Sequence, residues 1–492
     1  MNATGWSRGL EVSGGGPGVV SHAGLALLRL LADRTGLTGG LSRVLGCPPG
    51  GYDRGRVAAD LACAVADGAR VISDFRVMRD QAGLFGPVAS VPTVWRVLGE
   101  IAAGGERTRC ALAGAVNAAR RHAWAQAPAL PPVKIADKML TGVACIRLDA
   151  TVVIAHSDKE LAEPNIKGFG FHPLIACCDN TGEPLAWMFR PGGTGPNTAA
   201  DHLVVLREAI EALPPRHRRR LEITCDGAGA SHGLVAELDR LAGRRGFQVT
   251  YSVGWALGKR ERAALALVPG DAWQAAIGAR GKVRERRADG ACGNDRCPHR
   301  ACWIEEAHVT ELTGLLRGGP GGDQLARWPA TMRIFARRER PHPGAQLTLF
   351  EAADGWRYSL WATNRPAAAR GWIAQPAYID AARRVHARVE DVIRTSKDTG
   401  LGHFPCHDAA PNEAWLSVAM TGAILLAWLK LLALDGDLAR AEPKTLRYKI
   451  LHAAARLVRG GRRRLVKIPS SWPWAGEITT AWQRIHAIPQ PP

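Results

Sequence analysis

Apolar residues change their spacing twice along this chain. In SHAGLALLRLLADRTG, RVAADLACAVADGARVISDF and SVPTVWRVLGEIAAG they recur three and four positions apart, the repeat of one helix face, so residues 21–135 are predicted to be helical. Ser21 and Ser90 suit caps, and Pro92 suits a first helical turn. The third segment has the makings of the second helix of a helix-turn-helix, with Thr93 and Arg96 toward a groove; an ordinary packing helix has the same pattern. From about residue 142 short apolar runs take over. ACIRLDATVVIAHS, GFHPLIACCD and EPLAWMFRPG are predicted as an antiparallel meander, turning at Asp179-Asn180-Thr181-Gly182. The helix NTAADHLVVLREAIEALP, the strand RLEITCDG, the helix SHGLVAELDRLAGRRG and the strand FQVTYSVG follow.

Three meander strands, then helix, strand, helix, strand, is the element order of a ribonuclease-H-like core, an α/β fold with a mixed sheet and helices on both faces. Its first part would span 142–254. Residues 255–365 break the alternation with a basic run from Arg280 to Arg287 and strand-like stretches ATMRIFARRER, AQLTLFE and WRYSLWATN, which predict a β-rich insertion. Residues 366–412 return to the core with a helix that starts near Pro376 and carries Glu390. Residues 413–492 are expected to be helical and basic, and the Gly/Ser/Pro-rich 1–20 flexible. The most apolar stretch, Leu416 to Leu434, contains Lys430 and Gly422 and suits a buried core helix better than a membrane span. MNATGWSRGL has no charged segment leading into an apolar one, so export is not expected.

At 492 residues several domains are expected, and 46% hydrophobic residues suffice to fill their cores. Lys+Arg 64 against Asp+Glu 45 gives +19, a field that gathers polyanions, so nucleic acid is the first partner to consider. Eleven Cys without a pairing pattern do not suggest a disulfide framework.

Against that basic background three separated carboxylates stand out. Asp149 and Asp226 lie on apolar strand-like runs, where an uncompensated carboxylate costs several kcal/mol. Asp226 ends its strand before Gly227, at the edge where open α/β sheets place ligands. Either Asp alone also suits a structural ion pair, and Arg147 shares the face of Asp149. Glu390 shares a helix face with Arg383, His386, Arg394 and Lys397, an arrangement suited to phosphates beside a metal-bound acid; Asp391 is the competing ligand. Two strand-borne Asp and a helix-borne Glu are what a two-metal phosphoryl-transfer site requires.

IRLDATVVIAHSDKELA, RRERPHPGAQLTLF, RVHARVEDVIRTSKDTGLGHFP and RRRLVKIPSSWPWA, with VSHAGLALLRLLADRTGLT and LFGPVASVPTVWRVL upstream, carry a family likeness. The chain resembles DDE transposases of bacterial insertion sequences, in the class with a Tyr-x2-Arg-x3-Glu-x6-Lys signature, and most of all the group called thirteen-eighty. The resemblance implies Asp149, Asp226 and Glu390 as catalytic triad and ligands of two Mg2+ ions, with Mn2+ able to substitute, and matches Lys397 to the signature Lys. The Tyr and Arg positions of the signature hold Arg383 and His386 here. It further implies cut-and-paste transposition in the bacterial cytoplasm, acting on double-stranded terminal inverted repeats and target DNA through a homodimeric synaptic complex. Alternatives are another ribonuclease-H-like nuclease, or an inactive repressor derived from a transposase.

Hairpin-forming relatives stack a flipped base on an aromatic side chain, for which Trp361 is the first candidate and Trp255 the second. Arg216 to Arg220, then Arg337, Arg338 and Arg340, and Arg462, Arg463 and Arg464 with Lys467 are candidate phosphate contacts. Cys292, Cys297, His299 and Cys302, in a stretch that looks additional to the family, are suitable ligands for a structural zinc, although an unliganded loop has the same residues.

Overall fold

The computed structural model describes residues 10, 11, 13–195, 198–283, 306–319, 322–341, 345–366, 371–461 and 463–491. The possible zinc ligands Cys292, Cys297, His299 and Cys302, Arg462 and most of the basic run after Arg280 lie outside the described residues.

The sequence patterns condense first into an N-terminal set of helices. After the two-residue strand β1 (Val19–Val20) come α1 (Leu25–Arg34), α2 (Leu37–Leu45), α3 (Arg54–Asp67), α4 (Val91–Ala103) and α5 (Gly105–Gln126). Asp53 accepts from the Arg56 amide and caps α3; Gly68 ends it in the left-handed conformation that favours glycine. In α4 the helical repeat buries Val94, Val97, Leu98 and Ile101 and leaves Trp95 and Arg96 exposed.

The meander strands are β2 (Ala144–Ala150), β3 (Leu174–Cys178) and β4 (Glu183–Met188), followed by α6 (Ala199–Ala212), β5 (Arg220–Cys225), α7 (His232–Ala242) and β6 (Gln248–Trp255). Next come β7 (Gln274–Ala275), β8 (Ala307–Glu311), β9 (Arg333–Glu339) and β10 (Arg357–Thr363). Among the described residues these nine strands make one sheet, in the order β7-β8-β9-β10-β6-β5-β2-β3-β4. β5 runs parallel to both β2 and β6, while β3, β4 and β10 are antiparallel to their neighbours. The strands of 255–365 therefore prolong the central sheet. AQLTLFE, expected as a strand, instead leads into a short helix at Leu349–Asp354. Thr348 accepts from the Glu351 amide and Glu351 accepts from the Thr348 amide, a reciprocal cap that outweighs the apolar alternation.

Alternation along β2 sorts its side chains between two cores. Ala144, Ile146 and Leu148 pack with Val205, Leu206, Leu234 and Val235 of α6 and α7; Cys145 points to the opposite face. On that opposite face Ile175 and Cys177 of β3 meet Val389 and Val392, so helices cover both sides of the sheet.

The C-terminal part contains α8 (Pro376–Arg384), α9 (Arg388–Ser396) and α10 (Ala409–Leu432). The long apolar α10 packs with α1, α3 and α4 in one core, with Trp415 and Trp428 fully buried, as a core helix should be. Its tail was expected to be helical, but the basic segment forms two strands, β11 (Ala455–Gly460) and β12 (Arg463–Lys467), before α11 (Ala475–Ala487). β11 also pairs with β1, so the end of the glycine-rich N-terminus has an ordered partner.

One buried carboxylate ties three regions together. Glu183, at the start of β4, accepts from Arg120 Nε at 3.0 Å, Trp428 Nε1 at 2.9 Å, Trp124 Nε1 at 2.6 Å and the Thr181 hydroxyl at 2.9 Å. Arg120 and Glu183 are both fully buried, so the pair is tolerable only because its polar atoms are so fully used.

Candidate active site

Asp149 lies near the carboxyl end of β2, and Asp226 is the first residue past β5. The parallel register sets Cys225 beside Leu148, which brings the two aspartates to the same edge of adjacent strands. The chain after Asp226 turns tightly, with the Asp226 carbonyl accepting from the amides of Gly229 at 2.9 Å and Gly254 at 3.0 Å. A Cβ on Gly254 would lie 2.5 Å from the Gly227 nitrogen, so only glycine permits this approach.

Glu390 arrives from the other direction, exposed on the first turn of α9. Its charge reaches Asp149. The Asp149 carboxyl is pushed up to about 7, first by burial, then by Asp226, with Glu390 adding to the rise and the Ala150 amide and Arg383 opposing it. An Asp149 carboxyl whose ionisation is made costly by burial and by two neighbouring acids belongs to an anionic site set to receive a cation. Asp391 points elsewhere: it is exposed and pairs with Arg394 at 2.8 Å.

What holds α9 against the sheet is a polar network that pattern reading did not assemble. Arg388 donates to Asp179 at 3.3 Å, Asp179 accepts from Arg147 at 2.6 Å, and Arg147 donates to the Thr224 hydroxyl at 2.9 Å. That hydroxyl lies 2.9 Å from His386 Nδ1. Arg147 thus serves the turn after β3 and the side of β5, not Asp149. Thr224 gave a usable signal, since it shares the Asp226 face of its strand. The Asp179 partnership requires the β2–β3 register and was not visible in the sequence.

The expected phosphate contacts separate into three groups. Arg383, Lys397 and His386 lie near the acids. Burial pulls the Arg383 guanidinium down while the neighbouring Cys225 and Asp226 favour its charge. Lys397 donates to the Val152 carbonyl at 2.9 Å, and burial lowers its ammonium as well. His386 is only 6% exposed, and burial, with Arg383 and Arg147 nearby, pushes it down to about 2. It is a neutral positioning group beneath the surface, which corrects its expected role as a DNA contact.

Two further expectations are corrected by burial. Trp361 is 2% exposed and stacks on Phe335 with ring centroids 5.7 Å apart, among Val309 and Ile379, so no base can reach it in this structure. Trp255 is half-buried, with Nε1 donating to Glu261 at 3.2 Å. Arg337 is 4% exposed and pairs with Asp380 at 2.8 Å and Glu339 at 2.9 Å; its charge is already compensated inside the protein.

Several cations remain near solvent. Arg338 sits half-buried between Trp273 and Trp356, 4.4 and 4.6 Å from the ring centroids, and the exposed Arg340 lies 4.1 Å over Trp356. Arg394 is exposed but pairs with Asp391 and, at 3.1 Å, Glu442. Arg216, Arg219 and Arg220 are exposed along an open cleft with Phe247. Arg463, Arg464 and Lys467 are exposed along β12.

The family model described as "Transposase DDE domain group 1" matches residues 3–490. Among solved structures, the chain is similar to "Cryo-EM structure of piggyBac transposase synaptic complex with hairpin DNA (SNHP)", with a TM-score of 0.38 and 9% identity, covering 87% of this chain and 80% of that one. No curated protein matches the chain in sequence.

Proposed function

Because this chain belongs to the transposase DDE domain group 1 family, we propose that it cuts and pastes its own insertion sequence, of the thirteen-eighty group, by Mg2+-dependent cleavage and strand transfer at terminal inverted repeats. The observation that carries this reading is the placing of Asp149 and Asp226 at the same edge of the adjacent strands β2 and β5, with Glu390 of α9 near enough to raise the Asp149 carboxyl, on a basic molecule. The element order and the parallel β2–β5–β6 pairing support a ribonuclease-H-like core.

The donor set fits a divalent cation. All three groups are hard oxygen donors, and the upward shift of Asp149 comes first from burial and then from the charges of Asp226 and Glu390, both of which a cation would offset. Asp149, Asp226 and Glu390 would hold two Mg2+ ions, which when bound supply Lewis acidity at the attacking and leaving oxygens of an in-line displacement. The chain's own residues do the rest. Arg147, Thr224 and Asp179, with Arg388 and His386, fix the angle at which α9 presents Glu390. Arg383 and Lys397 supply positive charge beside the acids, where the phosphate of a bound strand would lie.

The β11–β12 ribbon is the proposed DNA grip. Between Glu442 and Glu477 the chain has nine Lys and Arg and no carboxylate. Arg456 lies opposite Lys467, and Arg459 opposite Arg464. Like charges directly across a ladder are destabilising, at roughly 0.2–1 kcal/mol per pair, unless an anion screens them. A duplex backbone would do so, and a homodimer would present two such ribbons to the two element ends.

End-labelled terminal-repeat DNA tests the reading. With Mg2+ the wild type is expected to release 3′-hydroxyl ends at the element boundary. Asp149→Asn, Asp226→Asn and Glu390→Gln should each lower that rate at least about 10³-fold, equivalent to roughly 4 kcal/mol. Undiminished cleavage by any of the three overturns it.

A further inference from the structure

Away from the acidic cleft, a second group of ligating side chains comes together from three distant parts of the chain. His22 follows β1, Asp67 ends α3, and His452 precedes β11. Their ligand atoms all lie within 4.8 Å of one another. His22 Nδ1 is 2.6 Å from Asp67 Oδ2, His452 Nε2 is 3.2 Å from Asp67 Oδ1, and the ring centroids are 4.2 Å apart.

The surroundings look built rather than incidental. The Asp67 side chain is 3% exposed, and its Oδ1 has no hydrogen-bond partner, because His452 Nε2 faces the Asp67 carbonyl at 3.0 Å instead. Backbone bonds fix the two imidazoles opposite each other: the Ala23 amide donates to Ala453 at 2.9 Å and the Gly24 amide to Leu451 at 3.1 Å. His22 itself sits at φ +53, a conformation that residues with a side chain seldom adopt and that turns its ring over Asp67. Arg447, a cation within electrostatic reach of Asp67, spends its guanidinium on the carbonyls of Ala66 and Asp398.

We propose that His22, Asp67 and His452 form a zinc site, completed by water. Two imidazoles and a carboxylate are ligands zinc accepts, and bonds of about 2.0–2.1 Å in a tetrahedron set ligand atoms about 3.3 Å apart. The 3.2 Å between His452 and Asp67 Oδ1 matches that spacing. The shorter His22–Asp67 contact is a hydrogen bond that gives way when Nδ1 turns to the metal. The ion fastens the root of the β1–β11–β12 sheet to α3, and its place is independent of the catalytic reading.

Cobalt titration tests the site in a Cys297→Ser, Asp149→Asn background, which weakens the two other candidate metal positions. The expected result is one equivalent of Co2+ with visible absorption, no sulfur-to-metal band, and a raised melting temperature. Adding His22→Gln and His452→Gln should remove that equivalent and its melting shift; Asp67→Asn, which keeps the shape of the side chain, should weaken binding at least about 10-fold. Melting curves without metal establish that each variant is folded. Cobalt uptake unchanged in the His22→Gln, His452→Gln protein overturns the proposal, as does a background protein that takes up none.

Discussion

Burial has opposite consequences for the half-buried Asp149 and the buried His386. The acid is left in the field of two others, whereas the imidazole is held neutral by desolvation and by the charges of Arg383 and Arg147. For His386 the pH dependence has a definite sign. Its native pKa, about 2, lies below the unfolded value near 6.5, so between these limits the unfolded chain binds the additional proton. The contribution is complete above pH 6.5 and is lost as pH falls, by at most about 1.4 kcal/mol per pH unit. Urea unfolding at pH 7.5 and 5.5 should show a smaller loss for His386→Asn than for the wild type; parallel losses would contradict the assignment. Asp149 and Asp226 drew attention in the sequence because a carboxylate on an apolar strand is conspicuous. The roles of the basic residues were not legible there, since arginine serves phosphates and buried ion pairs equally well. Arg337 finds its partner Asp380 forty-three positions away, and Trp361 finds Phe335 across a ladder.

At the scale of elements, the Glu390 helix is set by its ends. Below it, the chain makes a wide turn in which Gly400 has φ +96 and its missing Cβ would lie 2.7 Å from Val65 and 3.0 Å from Ala419. Gly400→Ala should therefore cost about 1–3 kcal/mol and disturb Lys397, three positions earlier. A denaturation midpoint equal to the wild type would show that the turn tolerates a side chain. Away from that helix, Glu183 joins α5, β4 and α10, and Glu183→Ala leaves Arg120 buried without its partner. A loss of about 3–5 kcal/mol in chemical denaturation is expected, and a loss under 1 kcal/mol would remove Glu183 from that role. Helices and meander strands were readable from spacing, since each obeys a local period. The ribbon was not: its arginines give no apolar alternation, and pairing with Val19–Val20 depends on residues more than four hundred positions away.

Over the whole molecule, a charge of +19 is concentrated where carboxylates are absent, most of all in the C-terminal ribbon. Removing Arg456, Arg463 and Lys467 together by alanine substitution should reduce the slope of log affinity for duplex DNA against log salt by about 2 to 3, near one per lost contact. An unchanged slope would place the grip elsewhere. Long-range closure is what the sequence least revealed: N-terminal and C-terminal helices share one core, and among the described residues nine strands join in one sheet. The most direct test of the acidic site is Mn2+ binding followed by electron paramagnetic resonance in wild type, Asp149→Asn, Asp226→Asn and Glu390→Gln proteins. Shared coordination predicts saturable binding by the wild type that each substitution weakens at least about 10-fold. If Glu390→Gln binds Mn2+ as the wild type does, the helix and the strands do not share a cation.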